Sequence, residues 1–265
     1  MERLSNLFFE LSHEDRIEIL TTLETSPRKL TQLATEIGDS SQEVYRHLSR
    51  LLDAGLVRKT VKGDYAITSY GLQVMRLVSG YDFLAKHSDY FLSRDTSSLP
   101  DEFSLRMGQL VNSTLVNDVM MTIFDVETMV RDAEEYVWLM LDQMMMSLYD
   151  PLLEALDRGV EVRVMRPKGW RLDEQVVDRL DKEIFDAIVK KIREGAVQQR
   201  ELEEMPVVVA LSEKEVAGLS FMPLDGKHDY VSFKSGDDDA VGWCKELFLY
   251  FWERASSAPV RSHAN

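Results

Sequence analysis

The stretch LTQLATEIGDSSQEVYRHLSRLLDAGLV, residues 30–57, decides the fold of the N-terminal part. It predicts two helices joined by a short turn. The first helix ends at Gly38, because glycine suits the left-handed conformation of a C-terminal cap. Ser40 or Ser41 caps the second helix. The apolar residues of this second helix repeat at helical spacing and predict one buried stripe: Val44, Leu48, Leu51 and Leu52.

The flanking segments extend this helical pair into a longer pattern. LSHEDRIEIL, residues 11–20, predicts a helix that follows a first apolar helix beginning near Leu4. RKTVKGDYAIT, residues 58–68, predicts a β-hairpin with basic residues and a Lys-Gly turn. The next helix extends to about Phe91 and has too much apolar surface for a solvated linker, so we expect it to pack against a second subunit.

Charge is distributed unevenly along the 265 residues, whose net charge is −15. This negative charge, together with a composition of 45% hydrophobic residues, excludes a disordered tail and a simple basic nucleic-acid coat. The first eighty residues hold ten Lys and Arg against eleven Asp and Glu, so residues 81–265 carry −14. From residue 46 to residue 62 there are five basic residues and one aspartate. A basic strip therefore lies within an acidic protein.

Three further features of the sequence limit the protein class. The single cysteine, Cys244, excludes a disulfide framework and a zinc ribbon, and its place in an apolar pattern predicts a buried side chain. No apolar run reaches the roughly 18–20 residues that cross a bilayer. The acidic start of the chain is unlike a signal peptide. We therefore expect a soluble cytoplasmic protein with no membrane partner.

Helix, helix, turn, helix and basic hairpin, in this order, resemble the winged helix-turn-helix of archaeal ArsR-type transcriptional regulators. The resemblance covers about residues 1–90 and implies binding to double-stranded DNA. The apolar first helix and the helix after the hairpin predict a homodimer. The resemblance implies that some residues face base edges: Gln42, Tyr45, Arg46 and His47, with Glu43. It implies that others meet phosphates: Ser41, Arg50, Arg58, Lys59 and Lys62. An alternative remains open, in which these bases form a solvated face balanced by nearby acids.

The second half of the chain predicts an α/β domain. RDTSSLPDE is rich in turn formers and predicts a linker over residues 93–102, between a winged-helix domain over 1–92 and a second domain over 103–256. A mainly helical stretch over 103–134 precedes YVWLML, a helix and VEVRVMRP, the βαβ rhythm of a parallel sheet. A charged helix from Asp173 to about Gln199, three strands and a long helix follow, and 257–265 form a tail. The predicted fold class is α+β overall.

Residues 134–167, together with VVVALSEKEVAGLSF, DYVSFK and LFLYFWERA, resemble the effector domains of methanogenesis and filament regulators. This resemblance implies a phospholipase-D-like sheet similar to that of the TrmB sensors. Phospholipase D enzymes need a His and a Lys two residues apart, whereas here His228 is followed by Lys234. We therefore predict no enzyme, no catalytic residue and no cofactor.

Basic residues crowd the end of the second central strand, where α/β sheets commonly bind ligands. They suggest a site for a small anion: Arg163, Arg166, Lys168, Trp170 and Arg171. The alternative, that these residues only pair with nearby acids, remains open. Met140 and Met144 to Met146 are interpreted as core or pocket residues, so no metal site is predicted.

These observations predict a dimeric, sequence-specific DNA-binding transcription regulator, controlled by a small-molecule or protein signal at the second domain. A protein-interaction adaptor that uses the winged helix is an alternative, and a phosphodiester-cleaving enzyme that uses His228 is a weaker one. Salt dependence separates DNA binding from the adaptor, because phosphate contacts give a steep decline of affinity with salt.

Overall fold

The computed structural model describes residues 2–170 and 182–257 and divides into two units, Met1–Tyr81 and Asp82–Asn265. The first unit is helical with one small hairpin, and the second unit contains a large sheet with helices. This arrangement confirms the predicted α+β fold class. No helix among the described residues combines the length and apolar character needed to cross a membrane.

The first unit contains four helices, a hairpin and the start of a fifth helix. These elements are α1 (Glu2–Leu11), α2 (Glu14–Thr25), α3 (Leu30–Ile37), α4 (Ser41–Asp53), β1 (Val57–Lys59), β2 (Tyr65–Ile67) and α5 (Ser69–Lys86). The predicted stripe of α4 packs against α2 and α3, because Val44, Leu48 and Leu51 are fully buried beside Ile19 and Leu33. The buried stripe fixes which face of α4 points outward.

Local hydrogen bonds end these elements where the sequence predicts. Gly38 has φ of 81°, the left-handed conformation expected after α3. The Ser40 hydroxyl accepts a hydrogen bond from the amide of Glu43 at 3.2 Å and caps α4. β1 and β2 pair antiparallel around a turn that contains Lys62 and Gly63. The helix predicted to reach about Phe91 instead ends at Lys86, and a separate short helix follows.

Gly71 stands where α5 crosses the base of the hairpin. A Cβ atom there would lie 2.4 Å from the carbonyl oxygen of Leu56 and 2.7 Å from Ile67 Cγ1. Backbone atoms cannot yield like a flexible side chain, so we expect Gly71→Ala to destabilise the first unit by about 1–2 kcal/mol, as overpacking does. Faster hydrogen exchange in β1 and β2 would report this loss.

A matched glycine in the second unit provides the control. Gly242 has no heavy atom within 4 Å of an added Cβ and lies inside a long helix. Gly242→Ala should therefore stabilise the second unit by up to about 1 kcal/mol through helix propensity. Equal effects of the two substitutions would contradict the close approach at Gly71.

The second unit holds a nine-stranded sheet among its described residues. Its elements are α6 (Ser88–Phe91), β3 (Arg94–Asp95), α7 (Asp101–Ser104), β4 (Thr114–Val116), α8 (Val119–Asp132), β5 (Tyr136–Met140), α9 (Tyr149–Asp157), β6 (Glu161–Pro167), α10 (Lys182–Arg193), β7 (Val197–Leu202), β8 (Val207–Ser212), β9 (Val216–Pro223), β10 (Ser232–Ser235), α11 (Asp238–Arg254) and β11 (Ser256–Ser257). Short 3-10 turns cover Met107–Leu110 and Met146–Leu148.

The strands follow the order β11-β7-β6-β5-β8-β9-β10-β4, with β3 paired to β9. The three strands β5, β6 and β7 are parallel, as the predicted βαβ rhythm requires, and the remaining pairs are antiparallel. Helices α8, α9 and α10 cover one face of the sheet, and α11 covers the other. Cys244 is buried on α11 under this second face, as predicted.

Three segments differ from the sequence prediction. The unit boundary falls after Tyr81, and the predicted linker 93–102 contains β3 and the start of α7. β4 interrupts the stretch predicted as helical over 103–134. The charged helix was expected to reach about Gln199, but residues 197–202 form β7, whose polar side chains hide its strand pattern. The early part of that predicted helix, through residue 181, lies outside the described residues.

Candidate nucleic-acid interface

The outward face of α4 carries exposed polar side chains. We call this surface the recognition face and define it by Ser41, Gln42, Tyr45 and Arg46, which are all exposed. It lies opposite the buried stripe, because residues three and four apart share one side of a helix. The Arg46 side chain is 66% exposed and pairs with Glu43 at 2.5 Å. This face therefore presents both hydrogen-bond donors and hydrogen-bond acceptors to solvent.

The hairpin carries a second exposed set, which we call the basic wing: Arg58, Lys59 and Lys62. Lys59 Nζ lies 5.2 Å from the ring centre of Tyr65 on the paired strand. None of these three residues forms an ion pair with an acid in the described part of the chain. The alternative, in which the basic residues only balance neighbouring acids, is therefore not supported by any ion pair of the wing in the described residues.

His47 is buried, which corrects the expectation that it faces base edges. Its side chain is 3% exposed, and its Nε2 atom lies 3.3 Å from Asp15 Oδ2 on α2. Burial, with the neighbouring His13, lowers the pKa of His47 below its ordinary value. Its spacing from Val44 and Leu51 places it on the buried side of α4, and this spacing was the signal available in the sequence.

Arg50 is tied to α1, although the resemblance assigns it to phosphates. Its Nε and Nη2 atoms donate to the two carboxylate oxygens of Glu10 at 2.9 and 2.7 Å. Its guanidinium also lies 4.9 Å from the ring centre of Phe9. The hydrogen bond from Arg50 lowers the pKa of Glu10 despite partial burial. Bidentate, charge-assisted hydrogen bonds of this kind are among the strongest in proteins, so the Arg50–Glu10 pair holds α1 against α4.

The structure does not bring Arg163 together with Arg166 in the anion site predicted for the second unit. Alternate residues of a strand point to opposite faces, and Arg163 stacks on Trp138 and Trp252 while Arg166 lies against Trp170. The bases also contact acids: Arg163 with Glu161 at 2.8 Å, Arg166 with Glu201 at 3.5 Å and Lys168 with Glu203 at 2.5 Å. Arg171 lies outside the described residues.

A polar cluster that the sequence did not reveal lies near the carboxyl end of β5. Arg94, with a side chain 4% exposed, binds both carboxylate oxygens of Asp229 at 2.9 and 2.7 Å. Partial burial lowers the pKa of His228, although Asp142 and Asp229 nearby favour its charged form. Tyr230 has φ of 59°, a strained conformation for an aromatic residue. Such strain often accompanies a functional site.

Matches to known proteins cover both units. Residues 5–84 match the model of the HVO_A0261 N-terminal domain, and residues 126–254 match that of the middle domain of the methanogenesis regulatory protein FilR1. No curated protein matches this chain in sequence.

Two solved structures resemble the chain loosely. TrmBL2, an archaeal chromatin protein whose structure shows a novel mode of DNA binding, is 17% identical over 90% of this chain and 92% of its own, with a TM-score of 0.43. Nuc of Salmonella typhimurium, a phospholipase D family member, is 13% identical over 53% of this chain and 91% of its own, with a TM-score of 0.36.

The two domain matches follow the order of the two structural units and are separated by residues 85–125. The chain therefore joins an N-terminal region similar to the HVO_A0261 N-terminal domain to a second region similar to the middle domain of the methanogenesis regulatory protein FilR1.

Proposed function

We propose that this protein is a sequence-specific DNA-binding transcription regulator that acts as a homodimer and responds to a signal at its second unit. The carrying observation is the recognition face of α4 beside a basic wing whose cations have no acidic partner in the described residues. A helix of this kind enters a major groove about 12 Å wide, where side chains reach base edges. The wing cations meet the phosphates alongside it.

An exposed apolar surface on α1 and α5 supports dimerisation, in which a second copy of the chain would cover it. α1 has no buried residue, and its Leu4 and Phe8 are about half exposed. Leu77 and Tyr81 of α5 are each 60% exposed, and the Tyr81 ring packs edge-on against Phe8 at 6.3 Å. Contiguous apolar surface of this kind marks association sites. A two-fold dimer would place two recognition faces about 34–36 Å apart on a pseudo-palindromic site.

The response to a signal is assigned to the second unit. Two features near the carboxyl end of β5 support this assignment: the strained Tyr230 and the buried Asp142 Oδ1, which has no hydrogen-bond partner among the described residues. Ligands commonly bind at the carboxyl ends of parallel strands. A ligand acts by binding one state of the dimer more tightly than another.

Lys62→Ala tests the phosphate contacts of the wing. Each neutralised phosphate contributes about −0.9 to the slope of log affinity against log salt on duplex DNA. A dimer has two wings, so the variant should flatten this slope by about 1.8 and weaken specific and random DNA similarly. Fluorescence anisotropy with labelled duplexes, from low to physiological salt, measures both quantities.

Lys190→Ala is the matched control, because Lys190 is a lysine of α10 in the second unit with its side chain 75% exposed. Its slope should equal that of the wild-type protein. A wild-type affinity for DNA that does not change with salt would contradict the proposal and favour the protein-interaction adaptor.

A further inference from the structure

Three side chains with metal-binding atoms converge where α2 begins against α4. His13 precedes α2, Asp15 lies in its first turn, and His47 lies in the middle of α4. The candidate ligand atoms of all three lie within 4.8 Å of one another. The imidazole rings of His13 and His47 are 4.4 Å apart between centres. The fold thus places two nitrogen donors around one carboxylate.

The spacing of these atoms fits ligands around an ion better than hydrogen-bond partners. Asp15 Oδ2 lies 3.6 Å from His13 Nδ1 and 3.3 Å from His47 Nε2. An ordinary N–H···O hydrogen bond has a length of about 2.9–3.0 Å. Neighbouring ligands of a tetrahedral ion, each bound at about 2.0–2.1 Å, are about 3.3–3.4 Å apart. The two measured separations lie close to this second value.

The carboxylate of Asp15 is also available to bind a cation. In the described residues, its ion-pair contacts are the two histidines, with no lysine or arginine. The adjacent Arg16 is directed toward α1, where its Nε atom donates to the carbonyl oxygen of Glu10 at 2.6 Å and its Nη2 atom to that of Phe9 at 2.7 Å. The carboxylate between the two imidazoles therefore has no direct lysine or arginine partner in the described residues, although the charge of the nearby Arg16 acts on it.

His47 supplies an independent observation. The residue is 2% exposed, and its Nδ1 atom has no hydrogen-bond partner in the described chain. A buried polar side chain usually has its partners. The Nδ1 atom lacks the hydrogen bond that a purely structural histidine would make, and Nε2, which lies 3.3 Å from Asp15 Oδ2, is the nitrogen that faces the carboxylate.

We infer that His13, Asp15 and His47 bind one divalent transition metal ion of the zinc class. Two imidazoles and a carboxylate suit Zn²⁺, Co²⁺ or Ni²⁺, whereas Mg²⁺ and Ca²⁺ prefer ligand sets of oxygen atoms. Three protein ligands leave at least one position for water or another ligand. The ion would join α2 to α4, the helix that carries the recognition face.

Cobalt titration of the full chain, without a polyhistidine tag and without DNA, tests the site directly. We expect a saturable one-to-one visible spectrum of a four- or five-coordinate cobalt ion, which added Zn²⁺ abolishes. Loss of an outer-sphere partner already costs about 10–100-fold in metal affinity. His13→Ala and Asp15→Asn remove direct ligands and should weaken binding by about 100-fold or more.

His13→Ala is the decisive variant, because its side chain is 44% exposed and its removal leaves the core intact. Glu14→Gln is the matched control, since Glu14 is an exposed acid in the same turn of α2, and it should bind cobalt like the wild-type protein. A wild-type spectrum that stays that of the hydrated ion, or unchanged binding by His13→Ala, would overturn the site. Because no DNA is present, either result is distinct from failure of the proposed function.

Discussion

Replacing Asp229 with alanine is expected to lower the free energy of unfolding of the second unit by about 2–3 kcal/mol. Asp229 holds the guanidinium of Arg94, whose side chain is only 4% exposed. Removing one partner of a fully buried pair costs about 3–5 kcal/mol, because the other charge stays buried and uncompensated. The expected cost is smaller here because Asp229 is 44% exposed and solvent screens the pair.

The loss should depend on pH in a defined direction. Burial alone would raise the pKa of Asp229, but hydrogen bonds from Arg94 and from the Val231 amide lower it below its ordinary 3.8. The stabilisation from a carboxylate with a lowered pKa is complete above the unfolded-state value and is lost as pH falls through the folded-state value. The difference between wild type and Asp229→Ala should therefore be full at neutral pH and shrink below about pH 3.8.

Urea denaturation followed by tryptophan fluorescence measures this effect, because all four tryptophans belong to the second unit. Asp225→Ala is the control, since Asp225 is an exposed residue of the same connection between β9 and β10. Its unfolding midpoint should match that of the wild-type protein. Equal midpoints for Asp229→Ala and Asp225→Ala at neutral pH would show that the buried pair contributes nothing to stability.

Elements with a single strong period were predictable from the sequence. Three features depend only on residues that are close together in the sequence, so local patterns predict them: the apolar stripe of α4, its Ser40 cap and the Lys-Gly turn of the hairpin. The parallel strands β5 and β6 are predictable for the same reason, since the continuous apolar run of β5 and the interspersed valines of β6 flank a helix. In contrast, β7 has the polar sequence VQQREL, and its place between β6 and β11 is set by long-range pairing.

The candidate sites depended on information that no local pattern carries. Gln42, Tyr45 and Arg46 could be placed on one outward face by helical spacing. The meeting of His13 with His47, and of Arg94 with Asp229, depends on how distant elements pack. The anion-site hypothesis at Arg163 and Arg166 joined residues by nearness in sequence, whereas the two-residue period of a strand separates them onto opposite faces.

Arg46→Ala is expected to lower the preference for operator over random DNA by up to about 3 kcal/mol for each subunit of the dimer. Arginine commonly reads guanine through two parallel hydrogen bonds, and one such pair contributes about 1–3 kcal/mol of discrimination. Arg46 is 66% exposed on the recognition face, and its ion-pair partner in the free protein is Glu43. An exposed ion pair of this kind contributes little, so releasing it on DNA costs little.

The operator for this test is the duplex that the wild-type protein selects from a random pool. Affinities of Arg46→Ala for this duplex and for a scrambled one, at one fixed salt concentration, give the change in discrimination. Arg193→Ala is the matched control, because Arg193 is an exposed arginine of α10 in the second unit. Lys62→Ala, a change in the basic wing, should weaken both duplexes alike, because a phosphate contact carries no sequence information. If Arg46→Ala also weakened both duplexes equally, Arg46 would be a phosphate contact and the base-reading role would pass to Gln42 and Tyr45.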